Sequence, residues 1–222
     1  MACGQVGRYA PSALRIGADP GTLGYMLFSE KRGFFEMEAD VDIDKFFLVA
    51  NYGLSSYKLI DDTYTYNNDG TYYRIGADIN LMNKDPNLNV AFFGIRYAAA
   101  RFDDDLNYNT QTLIHPDTGW PSTWEASSND NVRARWFELV TGIKIRVVKQ
   151  LYLGFTMRYK LFKSVSPAEE LRPYYIPGFG KNVVSGTSAF GFNYYVSYRL
   201  PFRKKIIYTE GDKVIEDKKG KK

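Results

Sequence analysis

Phe190-Gly191-Phe192-Asn193-Tyr194-Tyr195-Val196-Ser197-Tyr198-Arg199-Leu200-Pro201-Phe202 decides the fold. Read by twos, Phe190, Phe192, Tyr194, Val196, Tyr198, Leu200 and Phe202 form one set. Gly191, Asn193, Tyr195, Ser197, Arg199 and Pro201 form the other. A β-strand sends alternate side chains to opposite faces, so one face here is aromatic and aliphatic and the other small or polar. Thirteen residues is long for a globular strand. It suits a tilted strand crossing a bilayer, which needs roughly nine to eleven residues.

The same alternation recurs upstream. Ser12–Asp19 is a first short strand. Over Phe34–Ile43, Phe35, Met37, Ala39, Val41 and Ile43 alternate with Glu36, Glu38, Asp40 and Asp42, a strict period of two that no helix gives. Further strands are expected at Phe46–Ser55, Thr71–Met82, Val90–Arg101, Val132–Val148 and Leu151–Phe162. With the closing stretch the count is eight. The connections alternate long, short, long, short, long, short, long. Even strand number with short turns at one end and long loops at the other characterises outer-membrane barrels. The expected class is therefore all-β: an eight-stranded antiparallel transmembrane β-barrel with short periplasmic turns and long extracellular loops. Residues 1–11 read as a periplasmic lead, 12–202 as the barrel, and 203–222 as a polar periplasmic tail of mixed charge.

Composition agrees. Of 222 residues, 16% are aromatic, with 18 Tyr and 15 Phe, as strands and membrane-interface girdles require. No apolar run has the length of a membrane helix. The net charge of +4 is too small and too dispersed for a nucleic-acid footprint. The one cysteine, Cys3, excludes an intrachain disulfide framework. No apolar segment precedes Met1-Ala2-Cys3-Gly4, so the numbering is expected to begin at or near a processed end. Cys3 is then a candidate for lipid modification, with a plain free thiol as the alternative.

Alternation alone does not say which face lines the barrel, since a soluble barrel puts its apolar face inside. Size decides. The apolar face carries Phe35, Phe46, Tyr73, Phe93, Phe137, Phe155, Phe190, Phe192 and Tyr194 beside many Leu and Ile. An eight-stranded barrel is only just wide enough to be filled by side chains, and that set overfills it. These residues, with Phe202, are expected to face lipid or a partner. The interior then holds Arg15, Arg74, Arg96, Lys144, Arg146, Arg158, Lys160 and Arg199 against Glu36, Glu38, Asp40, Asp42, Asp78 and Glu138. Charges taken from water must pair, so the expected interior is a packed polar core rather than a conducting one.

Chemistry-bearing motifs are sparse. His115 is the only histidine, with Asp117, Ser122 and Ser127 near it in sequence. Nothing fixes a nucleophile–base geometry, and His115-Pro116-Asp117 reads better as a turn. Asp103-Asp104-Asp105 departs from the spacing of a calcium loop and reads as a solvated acidic loop. Trp120, Trp124, Tyr174 and Tyr175 fall in expected extracellular loops, as girdle anchors or as partner-binding candidates. No catalytic, cofactor-binding or metal-binding residue is assigned.

Several pieces match a known pattern. They are Pro11-Ser12-Ala13-Leu14-Arg15-Ile16-Gly17, Tyr73-Arg74-Ile75-Gly76-Ala77-Asp78, Gly94-Ile95-Arg96-Tyr97, Glu138-Leu139-Val140-Thr141-Gly142-Ile143-Lys144, Leu153-Gly154-Phe155 with Arg158, and Tyr175-Ile176-Pro177-Gly178-Phe179. Together they resemble the small outer-membrane β-barrel family of Bacteroidota, over residues 11 to 203. The resemblance implies an integral accessory subunit of the β-barrel assembly machinery. Its implied partners are outer-membrane lipid, a larger β-barrel insertase and surface lipoproteins, with no nucleic acid, small-molecule substrate or cofactor. The alternatives are a stand-alone surface-binding barrel and a rim enzyme acting on outer-membrane lipid.

Overall fold

The computed structural model describes residues 10–22, 24, 32–109, 123–166, 172–181, 188–203, 207–208 and 214–215. Cys3, His115 and Trp120 lie outside the described residues. The barrel strands are β1 (Ala13–Ala18), β2 (Arg32–Ile43), β3 (Phe46–Ile60), β4 (Tyr64–Asn80), β5 (Val90–Asn109), β6 (Trp124–Val148), β7 (Leu151–Ser166) and β10 (Ala189–Pro201). Between β7 and β10 lies the small hairpin of β8 (Tyr175–Ile176) and β9 (Gly180–Lys181). A two-stranded ribbon of β11 (Ile207–Tyr208) and β12 (Val214–Ile215) follows the barrel in the chain.

The eight long strands close into one antiparallel barrel. Each strand pairs with its sequence neighbour, and β10 pairs with both β7 and β1. In a bilayer this closure is obligatory, because an open sheet edge would leave backbone N–H and C=O groups in hydrocarbon. At one end the connections are short. Asp44-Lys45 joins β2 to β3, and Lys149-Gln150 joins β6 to β7. Asp44 and Lys149 take positive φ there, of 57° and 47°. The third short connection, residues 81–89, is pinned by Asp85, whose carboxylate accepts the amides of Asn87 and Asn89 at 3.1 and 2.9 Å.

The burial pattern is that of a membrane barrel. Outward positions stay open although apolar: Ile95 is 60% exposed, Leu153 51% and Phe192 58%. Inward positions are closed although charged: Arg158 is among the largest fully buried side chains. In water, so large a continuous apolar surface drives association, whereas lipid tails accept it.

Two expectations about loops are corrected. Residues 56–70, expected as a polar loop, continue β3 and β4 up to a turn at Asp61–Thr63. The stretch 102–131, expected as the longest loop, extends β5 to Asn109 and starts β6 at Trp124. Asp103, Asp104 and Asp105 therefore sit in a strand. The cause is common to both. Above the apolar belt the outward positions (Ser56, Lys58, Asp69, Asp103, Asp105) meet water, so polar residues continue a ladder that backbone pairing sustains.

The belt yields a first prediction. Ile95→Arg, at a mid-belt outward position, is expected to destabilise the barrel by roughly 2–4 kcal/mol. Arg101→Ile, three registers higher on the same strand face, should not carry such a penalty. Urea unfolding of the two variants in lipid vesicles reads the difference.

Candidate functional site: the charged interior and the mouth of the barrel

The interior holds a large ion network around Glu36, Glu138 and Lys144, with further buried pairs beside it. Its buried cations are Arg15, Arg74, Arg96, Lys144, Arg158, Lys160 and Arg199. Its buried carboxylates are Asp19, Glu36, Glu38, Asp40, Asp42, Asp78, Asp104 and Glu138. Arg146, expected among them, sits half-exposed at the short-turn rim.

Glu36 is a hub. It accepts hydrogen bonds from the Tyr195 hydroxyl at 2.5 Å, the Tyr72 hydroxyl at 2.6 Å and Arg74 Nη1 at 2.7 Å. Arg158 approaches Oε1, the oxygen that takes Tyr195 and Arg74, at 3.4 Å, while Tyr72 bonds Oε2. Glu138 is the second hub, accepting from Trp136 Nε1 at 2.7 Å and Arg74 Nε at 3.0 Å. Arg158 completes the circuit, donating to the Tyr195 hydroxyl at 2.8 Å and to Asn193 Oδ1. Asn193 in turn donates to Asp19 at 2.8 Å.

Nearer the short turns, Lys144 donates to both Glu38 and Asp40 at 2.6 Å. Arg15 donates to Asp40 at 2.8 Å, and its guanidinium lies 4.4 Å over the Phe47 ring. Arg96 grips Asp78 with two nitrogens at 2.6 and 2.8 Å, the forked geometry of a strong charge-assisted pair. Arg199 faces Asp42 at 3.8 Å. A space of about 10 Å³, about the room one water needs, lies between Arg15, Asp42, Arg199 and the 81–89 connection.

The network recruits more than the charged residues expected inside. Tyr72, Tyr195, Asn51, Asn193, Trp136 and Asp19 carry essential contacts. All of them lie on inward parity within the expected strands, Asp19 at the end of Ser12–Asp19. The alternation that placed the charges could therefore have found them.

The mouth is closed from inside. The segment 172–181, read from sequence as a displayed loop, folds down into the barrel, with Ile176 and Phe179 buried beside Trp136, Phe102 and Tyr72. Its backbone carbonyls are held by inward cations and amides. Arg74 donates to Gly178 O at 2.9 Å, Lys160 to Phe179 O at 2.9 Å, and Asn68 to Tyr175 O at 3.1 Å. Gly178 takes a φ of 75°, and a Cβ there would meet the Tyr72 ring. A Cβ on Gly53 would overlap the hydroxyl end of the same ring. Both glycines are thus needed to house Tyr72 under the plug.

This corrects the reading of Tyr175. It stacks flat on Tyr57, with centroids 4.6 Å apart, instead of standing out for a partner. Tyr174 and Trp124 remain exposed, and Trp124 begins a strand rather than lying in a loop. Of the outward aromatics, Phe46, Tyr73, Phe93, Phe137, Phe190, Phe192, Tyr194 and Phe202 are exposed, and Phe35 and Phe155 half-buried. Phe202 follows β10, where its amide donates to Ser12 O at 2.9 Å.

Above the belt, Asp104 points inward and accepts from Tyr66 at 3.0 Å and Asn129 at 3.1 Å. Burial pushes the Asp104 carboxyl above its ordinary range. The two hydrogen bonds oppose that shift, while the neighbouring Asp105 and Asp103 add to it. Burial likewise raises the Tyr66 hydroxyl, with Asp104 adding to the effect. Tyr66 accepts the Tyr175 amide at 3.3 Å, so this acid is one contact away from the plug. Among the described residues no group of three potential ligands is placed to hold a metal ion.

The sequence profile described as a domain of unknown function, DUF6048, matches residues 5–205. The chain belongs to that family. No curated protein matches it. Among solved structures, the barrel is similar to Neisserial surface protein A, NspA. That match has 11% identity and a TM-score of 0.36, and covers 86% of this chain and 96% of that one. At that identity and superposition the likeness bears no weight on activity or partners.

Two predictions follow from this geometry. Glu36→Ala removes the carboxylate that Arg74 and Arg158 share, leaving Glu138 alone between them, and should cost about 3–5 kcal/mol. Glu125→Gln, at the exposed Tyr108 pair, should leave the unfolding midpoint where it was.

The second concerns pH. A carboxyl whose folded pKa is raised makes the folded mouth the tighter proton binder. Its contribution is therefore greatest below the ordinary carboxylate range and is lost as pH rises through the raised pKa of Asp104. Hydrogen-exchange protection of the Tyr175 amide should fall across that window in the wild type and stay level in Asp104→Asn. Equal pH dependence in both would remove Asp104 from the coupling.

Proposed function

We propose that this chain is a non-enzymatic scaffold, an integral accessory subunit of a β-barrel assembly complex in the outer membrane of Bacteroidota. The observation that carries the reading is the filled interior. Side chains occupy the bore, their charges are spent on one another, and an inward-folded plug caps the mouth. A barrel of this kind offers its outer wall and rim to other molecules, with no through-path for a solute.

The wall has a suitable docking stripe. On β7 and β10, Phe155 packs between Phe192 and Tyr194, with ring centroids 6.0 and 5.2 Å away, and Tyr159 meets Phe190 at 4.7 Å. Such a rigid aromatic face gives a neighbouring barrel large contact area at little entropic cost. In this reading the short turns and both termini are periplasmic and the tall strand ends extracellular. A larger insertase barrel lies in the membrane plane, and surface lipoproteins meet the rim. The resemblance set out above supplies the assembly context. The pairing of the described interior charges supports the scaffold reading.

Gentle detergent extraction of native outer membranes, with a tag on the C-terminal tail and mass spectrometry of the eluate, tests the proposal. A stoichiometric large barrel with lipoproteins is expected, and its recovery should drop when Phe192 and Tyr194 are replaced by Leu. A clean monomer would overturn the stable complex and favour the stand-alone surface barrel.

A further inference from the structure

We infer that the outer wall carries a binding site for the phosphate headgroup of an anionic membrane lipid, built from Arg101, Arg133 and Arg135 at the upper edge of the belt. The inference rests on the barrel's seat in a membrane and is independent of the assembly role.

The register places the three side chains together. Tyr97 pairs with Phe137 across β5 and β6, and their rings meet edge to face at 5.5 Å as the last aromatic row of the belt. In the next outward row Ala99 pairs with Arg135, and in the one above Arg101 pairs directly with Arg133. Successive outward rows lie about 6.6 Å apart, so the arginines begin where hydrocarbon gives way to headgroups. Arg101, Arg133 and Arg135 are all exposed. Like charges directly opposite on neighbouring strands repel. Among the described residues none of the three forms an ion pair. This contrasts with the interior, where cation after cation has a carboxylate. An anion from outside the chain would relieve the repulsion.

The surroundings give the site a shape. An open groove of about 420 Å³ is lined by Arg133, Arg135, Ser164, Ser166, Asn131 and Asp130. Ser166 pairs with Arg133 and Ser164 with Arg135, so two hydroxyls flank two guanidinium forks. A bulge between Arg135 and Phe137 against β7 turns both serines outward. Forked guanidinium donors with adjacent hydroxyls match the tetrahedral oxygens of phosphate.

The acidic neighbours set the direction of approach. Asp103 pairs with Asp69 one row above Arg101, and Asp130 stands at the upper end of the groove. They repel an anion arriving from above and leave the side entry, from the headgroup layer, over the Tyr97–Phe137 pair. Acyl chains of the same lipid would then lie along the apolar belt below. This favours a lipid phosphate over a free one.

The test uses the full chain, delipidated in uncharged detergent and given phosphatidic acid, with retention read by native mass spectrometry. The wild type should retain the lipid. The triple variant Arg101→Gln, Arg133→Gln, Arg135→Gln should retain it about tenfold less or weaker still. Arg135→Gln alone should show part of that loss, and Lys45→Gln at the opposite rim none. Diacylglycerol, which lacks the phosphate, should not be held. Equal retention by the triple variant, or equal loss in Lys45→Gln, would overturn the site. Displacement of the lipid by an equal concentration of inorganic phosphate would overturn the lipid as its ligand.

Discussion

In hydrocarbon a backbone amide has no water to bond, and the whole molecule follows from that. Each strand must have a partner on both sides, so β10 must find β1 at the end of the chain. β1 is only six residues long, and the closure is tight enough that Gly17 meets the backbone of Ser197 and Val196 with no room for a Cβ. The seam is finished by the amides of Phe202 and Arg203, both donated to Ser12 O. Closure fixes the strand count, and the strand count fixes a bore narrow enough to be filled by side chains.

A narrow bore facing away from lipid must then hold whatever the inward parity supplies. Here it supplies charges, and the low-dielectric interior makes an unpaired one far more costly than a paired one. The network answers by sharing. Glu36 serves two arginines and two tyrosines, and Lys144 bridges Glu38 and Asp40. Apolar layers bracket these charges, with Phe47, Val49, Val90, Phe92 and Val140 in one cluster and Trp136, Phe102 and Phe179 in the other. Lys160, Arg74 and Asn68 reach up to carbonyls of the plug. The plug is thus held by the charge network, and the network is sealed from water by the plug.

Much of this was legible in the chain because period two is a local signal. Phe190–Phe202 and Phe34–Ile43 declare their two faces unaided, and the volume of the apolar set decides which face points out. What stayed hidden depends on non-local facts. Ser56, Lys58, Asp103 and Asp105 read as loop residues because a strand above the membrane has water on its outer face and loses the apolar mark. The inward partners Tyr57, Asn68, Phe102 and Asp104 kept the alternation, in a weaker form. The plug is harder still. Ile176-Pro177-Gly178-Phe179 is short and aperiodic, and only the location of Trp136, Tyr72 and Arg74 on other strands shows that it turns inward.

The uneven height of the wall bears on what such a barrel can do. β6 has 25 residues and β5 has 20, while β10 has 13 and β1 six. The tall side carries polar outward rows beyond the belt, among them the arginine rows on β5 and β6. Among the described residues the low side, from β7 through β10 to β1, presents stacked aromatics. Among the described residues a neighbour within the membrane therefore meets an aromatic wall on one side and a taller, polar-topped one on the other. With the described interior filled by side chains, the outer wall is where the two sides of the barrel differ in chemistry.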